Sequence, residues 1–484
     1  MLLAELIRDL DVLDIKGGEN VDITGIAYDS RKVKRGFLFV CIDGTIEDGH
    51  DYVSQALDNG AAAFIAQRDL QLPEKYTVVK TYNSRLALAF VSDKFYGHLS
   101  GKLSLIGITG TKGKTTVTFM LKSILEAAGR NVGIIGTLGA RIGNKVLHSE
   151  RTTPESLDLQ EIFAKMVEEG VEEVVMEVSS QGLALHRVSF CEFDIGVFTN
   201  LSRDHIGERE HASMEEYLLS KCMLFKMCKK GLINLDNEYA PRVLEESDCD
   251  TFTFSIDNSA DIRASNIAKL PHNVEFDLTS PWYNGRFKAS IPGRFSVYNS
   301  LAAAGASGLL GVPQEAVKMG LAKVQVPGRV ETVNAGQPFS VIIDYAHTPD
   351  SLENILSTVK DYATGRVICI FGCGGDRDRS KRPMMGSVSG RLADYTVITS
   401  DNPRTENPET IIKQIEEGIK ETMGKYCCII DRREAIKHAI LEAREGDVLV
   451  LAGKGHETYQ IFKDKTIHFD EREVVLELLE ADIH

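Results

Sequence analysis

The sequence predicts an α/β protein in three domains: a small N-terminal α/β domain, a central domain built on a doubly wound, mostly parallel sheet, and a C-terminal α/β domain. Three observations carry this. At 484 residues and roughly 150 residues per domain, about three domains are expected. Short apolar runs alternate with helix-period segments, and the alternation starts afresh twice along the chain. One glycine-rich turn sits between an apolar run and an amphipathic helix, the context of a phosphate-binding loop. Hydrophobic residues at 43% and charged residues at 26% are ordinary for a globular enzyme and exclude a disordered or fibrous chain.

In chain order, the first segment (1–101) mixes the apolar runs Phe37–Ile42 and Ala61–Ala66 with Gly-rich turns and ends in the polar stretch Tyr96–Lys102. The second (102–328) opens on a buried strand, Leu103–Thr109, then a Gly-rich turn and a helix from Thr115 to Gly129. Strands follow at Val132–Gly136, Glu173–Val178, Ile195–Thr199 and Gly231–Asn234. The Pro327-Gly328 pair marks a hinge. The third segment (329–484) is a Rossmann-like series with strands Phe339–Tyr345, Arg366–Phe371, Asp394–Thr399, Cys427–Ile430 and Asp447–Ala452.

The net charge of -15 repels phosphate backbones and anionic lipid, so no nucleic-acid or membrane partner is expected. No apolar stretch approaches a membrane span, and the acidic N-terminus lacks a signal-peptide layout. The nine cysteines are scattered and never spaced Cys-x-x-Cys, which reads as buried, reduced thiols of a cytoplasmic protein.

The strongest motif is Gly110-Thr111-Lys112-Gly113-Lys114-Thr115-Thr116. Its glycines let backbone N–H groups point at phosphate oxygens, and the helix N-terminus adds its dipole. Lys114 would contact the outer phosphates and Thr115 would ligate Mg²⁺ through its hydroxyl. Ile108 stands where the full motif has its first glycine. ATP or GTP binding is the reading this context favours.

A second cluster joins Glu177 and Ser179 at a strand end, Asp204-His205 after the next strand, and Lys221 in a helix. Strand C-termini of doubly wound sheets open onto the ligand crevice, so these side chains could face the phosphate loop. On spacing alone, Glu177 and His205 serve equally well as metal-site groups or as ordinary satisfied polar residues. The stretch Phe371–Arg377 fails as a dinucleotide fingerprint, because Arg377 stands at the third glycine position. With Asp401-Asn402-Pro403-Arg404 it places two arginines at strand ends, suited to a carboxylate but equally to surface ion pairs.

Taken together, these stretches resemble the Mur ligases, the ATP-dependent amino-acid ligases of peptidoglycan precursor synthesis. The resemblance rests on the phosphate loop, Thr152-Thr153-Pro154, Glu177-Val-Ser-Ser180, Thr199-Asn-Leu-Ser-Arg-Asp-His205 and Tyr217-x3-Lys221. It continues through Gly293-x-Phe-Ser-Val-Tyr-Asn299, Pro327-Gly-Arg-Val-Glu331, Asp344-Tyr-Ala-His-Thr-Pro-Asp350 and Gly453-Lys-Gly-His-Glu457. Within the family the pattern is similar to the branch that adds a third residue, meso-diaminopimelate, to UDP-N-acetylmuramoyl-L-alanyl-D-glutamate.

The resemblance implies the following roles. The loop Gly110–Thr116 holds ATP, with Lys114 on its phosphates; Thr115 and Glu177 bind one of two Mg²⁺ ions, and His205 supports the metal site. Lys221 carries an N-carboxylate that makes it an anionic metal ligand. Asn299, Arg329 and Asp344 contact the nucleotide. Thr152, Thr153, Ser179 and Arg187 contact the muramoyl-dipeptide, while Ser30 and the Thr45-Ile46-Glu47 turn hold the uridine nucleotide in residues 1–101. Arg377, Asp401, Asn402, Pro403, Arg404, Gly453 and Glu457 form the amino-acid site, with Arg404 desolvated and facing the distal carboxylate. A cytoplasmic monomer is implied.

This sequence departs from the family pattern at Lys112, Gly207, Leu185 and Asn407; Leu185 replaces a substrate-binding Gln. A lysine-adding ligase of the same family, a folylpolyglutamate synthetase and a nucleotide-dependent switch are the alternatives.

Overall fold

The computed structural model describes residues 1–44, 47–143, 145–147, 151–204, 206–207, 211–270 and 273–482. The expected residues Thr45, Ile46 and His205 lie outside them. The chain divides into two compact units. One comprises Met1–Arg263, Thr279–Tyr283 and Tyr298–Gly320; the other comprises Ala264–Leu278, Asn284–Val297 and Leu321–His484.

The first unit begins with β1 (Asp14–Lys16), β2 (Gly25–Ala27), β3 (Phe37–Val40), β4 (Ala61–Ala66) and β5 (Thr77–Lys80), ordered β1-β5-β4-β3-β2. Only β1 runs antiparallel to its neighbour. The helix Ser84–Tyr96 that follows is capped at both ends. The Asn83 side chain accepts from the N–H groups of Arg85 and Leu86, and Gly97 closes it at φ 76°.

A second sheet comprises β6 (Ser104–Thr109), β7 (Val132–Gly136), β8 (Gly139–Ile142), β9 (Lys145–Leu147), β10 (Glu173–Glu177), β11 (Phe193–Phe198), β12 (Cys228–Asn234) and β13 (Asp250–Ser255). Its order is β13-β12-β11-β6-β10-β7-β8-β9, parallel from β13 to β7. Every residue of β7 and β10 is buried, as expected for strands covered on both faces. The phosphate loop therefore leaves a central strand, β6, whose neighbours β10 and β11 deliver Glu177 and Thr199 to its C-terminal end.

The second unit contains β14 (Ile262–Leu270, from residue 264), β15 (Asn273–Thr279, to residue 278) and β16 (Asn284–Ala289). It continues with β17 (Glu331–Val333), β18 (Ser340–Asp344), β19 (Val367–Phe371), β20 (Tyr395–Ile398), β21 (Tyr426–Cys428) and β22 (Val448–Ala452), followed by the antiparallel pair β23 (Tyr459–Ile461) and β24 (Thr466–His468). The C-terminal sheet is ordered β17-β18-β22-β19-β20-β21, parallel except at β17. β22 and β19 lead directly into Gly453 and Gly372, and β20 leads through Thr399 into the Ser400–Arg404 segment.

One expected strand needs correction. Cys427–Ile430 reads as a buried strand, but β21 stops at Cys428 and its residues run from half-buried to exposed, because it forms the edge of the sheet. All nine cysteines are free thiols, and Cys428 is exposed rather than buried. Among the described residues no helix is long and apolar enough to cross a membrane.

Candidate active site

The phosphate loop turns at Gly113, which has φ 87° and precedes the helix Lys114–Ala127. Lys114 folds back on its own loop, donating to the carbonyls of Gly110 at 2.8 Å and Thr111 at 3.1 Å. The loop is fixed from β11 as well. Thr199 Oγ1 donates to the Lys112 carbonyl at 2.7 Å, and the Asn200 amide both accepts from Lys112 N–H and donates to its carbonyl. Thr111 and Thr116 are buried within the loop and the first helical turn. Asn299 lies against the loop: its Oδ1 is 2.6 Å from where a Cβ on Gly113 would stand.

Glu177 is the focus of the site. It is buried, its Oε2 accepts from Thr115 Oγ1 at 3.1 Å and from Thr137 Oγ1 at 3.1 Å, and its Oε1 accepts from Thr137 N–H at 3.0 Å. Gly136 makes room for it, since a Cβ there would come within 2.2 Å of Glu177 Oε1. Thr153 Oγ1 donates to the Glu177 carbonyl at 3.0 Å and accepts from Ser179 N–H, and Thr152 meets Thr137 at 3.2 Å. The structure thus brings Thr115, Glu177, Thr152, Thr153 and Ser179 into one network.

Lys221 also reaches this network. Its Nζ is fully buried, donates to the Gly110 carbonyl at 3.0 Å and lies 4.4 Å from the Tyr217 ring centroid. Burial, then the neighbouring Lys114, hold its pKa well below the usual lysine range. An uncharged amine is the form this surrounding favours.

Thr115 and Glu177 present adjacent hard oxygen donors beside a phosphate loop, the set Mg²⁺ uses when phosphates and water complete its shell. These residues fit the metal. Among the described residues there is no group of three or more His, Cys, Asp or Glu side chains that could hold a metal by themselves.

Next to this network opens a cleft of about 1240 Å³ lined by residues of the first unit, including Ser30, Glu47, Arg85, Gln181 and Arg187. Ser30 is held by Gln55, its Oγ donating at 2.7 Å. Arg187 donates through Nε to Glu155 at 3.0 Å and through a terminal guanidinium nitrogen to the Thr153 carbonyl at 3.2 Å. Burial lowers its pKa and Glu155 raises it, with burial the larger effect.

In the second unit, the expected amino-acid residues gather at the ends of β19, β20 and β22. Arg377 and Arg404 flank Gly374, their side chains 3.7 Å and 3.0 Å from where its Cβ would be. Asn402 donates to Glu457 at 2.8 Å, and the buried Lys454 donates to both Asn402 and Glu457 at 3.2 Å. Gly453 has φ 115°, and a Cβ there would approach Asp401 Oδ2 to 2.6 Å. Pro403 is buried. The expectation of a desolvated Arg404 needs correction: the residue is half-buried, takes φ 51°, and already donates to the Gly375 carbonyl at 2.8 Å. Arg329 lies 4.6 Å from the Tyr345 ring centroid. Asp344 accepts from the N–H groups of Val330 and Ala346, and burial raises its pKa.

Models of the Mur ligase family match three segments: the Mur ligase family catalytic domain over residues 22–92, the Mur ligase middle domain over 108–307, and the Mur ligase glutamate ligase domain over 328–455. A curated relative from Caldanaerobacter subterraneus subsp. tengcongensis, named UDP-N-acetylmuramoyl-L-alanyl-D-glutamate--2,6-diaminopimelate ligase, is 51% identical over 480 residues, 99% of each chain. The chain belongs to the Mur ligases. A relative of the same name from Clostridium botulinum is 47% identical over 99% of each chain. A solved structure of a ligase so named superimposes with a TM-score of 0.73 at 30% identity, covering 100% of this chain and 99% of that one. The protein has the three-domain α/β fold of the Mur ligases, with N-terminal, central and C-terminal domains.

Several residues of this Mur ligase site escape a motif reading. Thr137 and Gly136 shape the Glu177 pocket but stand in an apolar strand end with nothing to single them out. Glu155, which holds Arg187 and Arg85, directly follows Thr152-Thr153-Pro154, and that adjacency was an available signal. Gln181 lines the cleft four residues before Leu185, on the same short stretch of chain.

Proposed function

We propose that this chain is the ATP-dependent ligase that joins meso-diaminopimelate to UDP-N-acetylmuramoyl-L-alanyl-D-glutamate. The observation that carries the reading is the braced pair Thr115–Glu177 at the mouth of the phosphate loop, in a chain that matches ligases of that name along its whole length. Joining a carboxylate to an amine requires activation. The substrate carboxylate attacks the terminal phosphorus of ATP, giving an acyl phosphate and ADP. The amine of the amino acid, having lost a proton, then attacks the acyl carbon, and phosphate leaves.

Each step sets negative charges together, and the chain's own residues offset them. We assign Lys114 and the loop amides Gly110–Thr116 to the ATP phosphates, with Lys114 exchanging two loop carbonyls for phosphate oxygens. Asn299, Arg329 and Asp344 are assigned to the nucleotide, as the family resemblance implies. Thr115 and Glu177 would hold one Mg²⁺. Lys221 as its N-carboxylate, together with His205, would serve a second. Bound there, Mg²⁺ supplies charge neutralisation of the transferring phosphoryl group. The low pKa of Lys221 supports N-carboxylation, because only a neutral amine adds to carbon dioxide.

We assign Ser30, Thr45, Ile46 and Glu47 to the uridine nucleotide and Thr152, Thr153, Ser179 and Arg187 to the muramoyl-dipeptide. Arg377, Asp401, Asn402, Pro403, Arg404, Gly453 and Glu457 are assigned to the amino acid. The corresponding working divisions are residues 1–101, 102–328 and 329–484. We infer a monomer acting in the cytoplasm, as the family resemblance implies.

The test is phosphate release from ATP in the presence of UDP-muramoyl-dipeptide and either meso-diaminopimelate or lysine. Release with meso-diaminopimelate in clear preference to lysine is expected; equal use of lysine rejects the amino-acid assignment and favours the lysine-adding alternative.

A further inference from the structure

The amino-acid loops rest on a charged pair that no motif contains. Arg432 opens the helix Arg432–Glu442 and Glu471 opens the helix Glu471–Asp482. Both side chains are fully buried, and Arg432 Nε donates to Glu471 Oε1 at 2.8 Å. The two terminal guanidinium nitrogens also reach backbone carbonyls. One donates to the Ser400 carbonyl at 3.2 Å and the other, which also lies 2.7 Å from Glu471 Oε1, to the Ala452 carbonyl at 2.9 Å. Ser400 immediately precedes Asp401, and Ala452 immediately precedes Gly453. Ala452 ends β22 and Ser400 lies two residues beyond the end of β20, and these strands are not neighbours, since β19 lies between them.

One planar fork therefore fixes the spacing of two loops across an intervening strand. That spacing is tight, given the 2.6 Å left for any Cβ between Gly453 and the Asp401 carboxylate. A guanidinium can make these contacts at once because its donors lie in one plane at fixed angles; an ammonium cannot. A pair of buried charges is a weak source of stability, and apolar residues of similar size often substitute for it at little cost. Its presence beneath two binding loops calls for another account.

We propose that Arg432, oriented by Glu471, is a positioning residue for the amino-acid site: it holds Asp401–Asn402 and Gly453 at the separation that binds the incoming amino acid. This rests on the assignment of those loops to the amino acid made above. It predicts that losing the fork loosens one substrate and spares the other two.

The decisive experiment measures KM for the amino acid, ATP and the UDP-substrate in Arg432→Lys and in the double variant Arg432→Met/Glu471→Leu, using the amino acid that the unmodified enzyme joins. The double variant removes both charges together, so no uncompensated charge is left buried. The expected result is a melting temperature near that of the unmodified protein and a KM for the amino acid raised about tenfold or more, as small misplacements of binding groups produce. KM for ATP and the UDP-substrate should stay within about twofold, and Arg432→Lys should fall between the two enzymes. A folded double variant with unchanged KM for the amino acid overturns the proposal. So does a uniform loss in all three KM values, or failure of both variants to fold, since the pair is then a folding device. An unmodified enzyme that joins lysine but not meso-diaminopimelate overturns the functional reading instead and leaves this comparison to be made with lysine.

Discussion

Around Gly110–Thr116 most of the partners that hold the site still are hydroxyl and amide groups close in the fold: Thr199, Asn200 and Thr137 donate or accept, and Glu177 is braced by Thr115 and Thr137. The amines of Lys114 and Lys221 close on the Gly110 carbonyl. Around Asp401–Arg404 buried arginine and lysine side chains carry more of that load, beside the neutral Gln460, which donates to the Asp401 carbonyl. Arg432 holds Ser400 and Ala452, Lys454 holds Asn402, and Arg382 donates to the Gly374 carbonyl and to both oxygens of Glu406. The contrast follows from local geometry. A loop that runs from strand to helix can satisfy itself within a few residues, whereas three loops from separate strands need long side chains that cross between them. A nucleotide loop assembled in this way carries most of its supports inside recognisable motifs; the amino-acid loops are motifs whose supports lie outside them.

The sharpest way to break that contrast is Glu177→Gln. Glutamine can keep a contact to Thr137 but loses the charge, so the fold should persist while the transition state loses on the order of 3 kcal/mol or more. Turnover and thermal melting measured together decide the point: a collapse in melting temperature with turnover per folded molecule intact would make Glu177 a structural residue only.

Next in size is Arg404→Ala. Because Arg404 is half-buried and already donates to Gly375, the discrimination for meso-diaminopimelate over lysine should fall by about 2 kcal/mol, the low end for truncating a charged pair. Competition between the two amino acids reads this directly, and an unchanged ratio would move the distal carboxylate contact to Arg377.

Gly136→Ala tests the nucleotide side by sterics alone. The new methyl meets Glu177 Oε1, so the carboxylate must give up hydrogen bonds to Thr137, at a cost of about 1 kcal/mol in turnover. Crystals of the variant showing Glu177 unmoved would count against a confined pocket.

The smallest effect is a pH dependence. Hydrogen bonds from Arg382 hold the Glu406 carboxyl down at about 2. A carboxylate with a lowered folded-state pKa contributes stability above its unfolded value and loses it as pH falls. Glu406→Gln should therefore be less stable than the unmodified protein at neutral pH. The gap should close between the ordinary carboxylate range and about pH 2; a gap constant over that window in acid titration would show that the ion pair is not its source.

The same contrast explains what the sequence made legible. Apolar runs located β6, β7, β10 and β22 to within a residue or two, because strands buried on both faces are continuous in sequence. Asn273–Thr279 is not legible in this way, since its burial alternates between half-buried and buried positions and no apolar run marks it. The motif residues Lys114, Thr115, Glu177, Thr153 and Ser179 do meet. Arg432 and its partners could not be read, because the contacts span 32 and 39 positions and no local pattern announces a buried arginine. The half-buried state of Arg404 was equally hidden, as it depends on the carbonyl of Gly375 from another loop.

The short outer strands have a consequence for the protein in concentrated solution. Both edges of the N-terminal sheet, β1 and β2, and both edges of the C-terminal sheet, β17 and β21, are only three residues long. A foreign strand docking there would find too few backbone groups in register to form a lasting ladder. With a net charge of -15 also keeping copies apart, these sheets carry little intrinsic tendency to coalesce edge to edge.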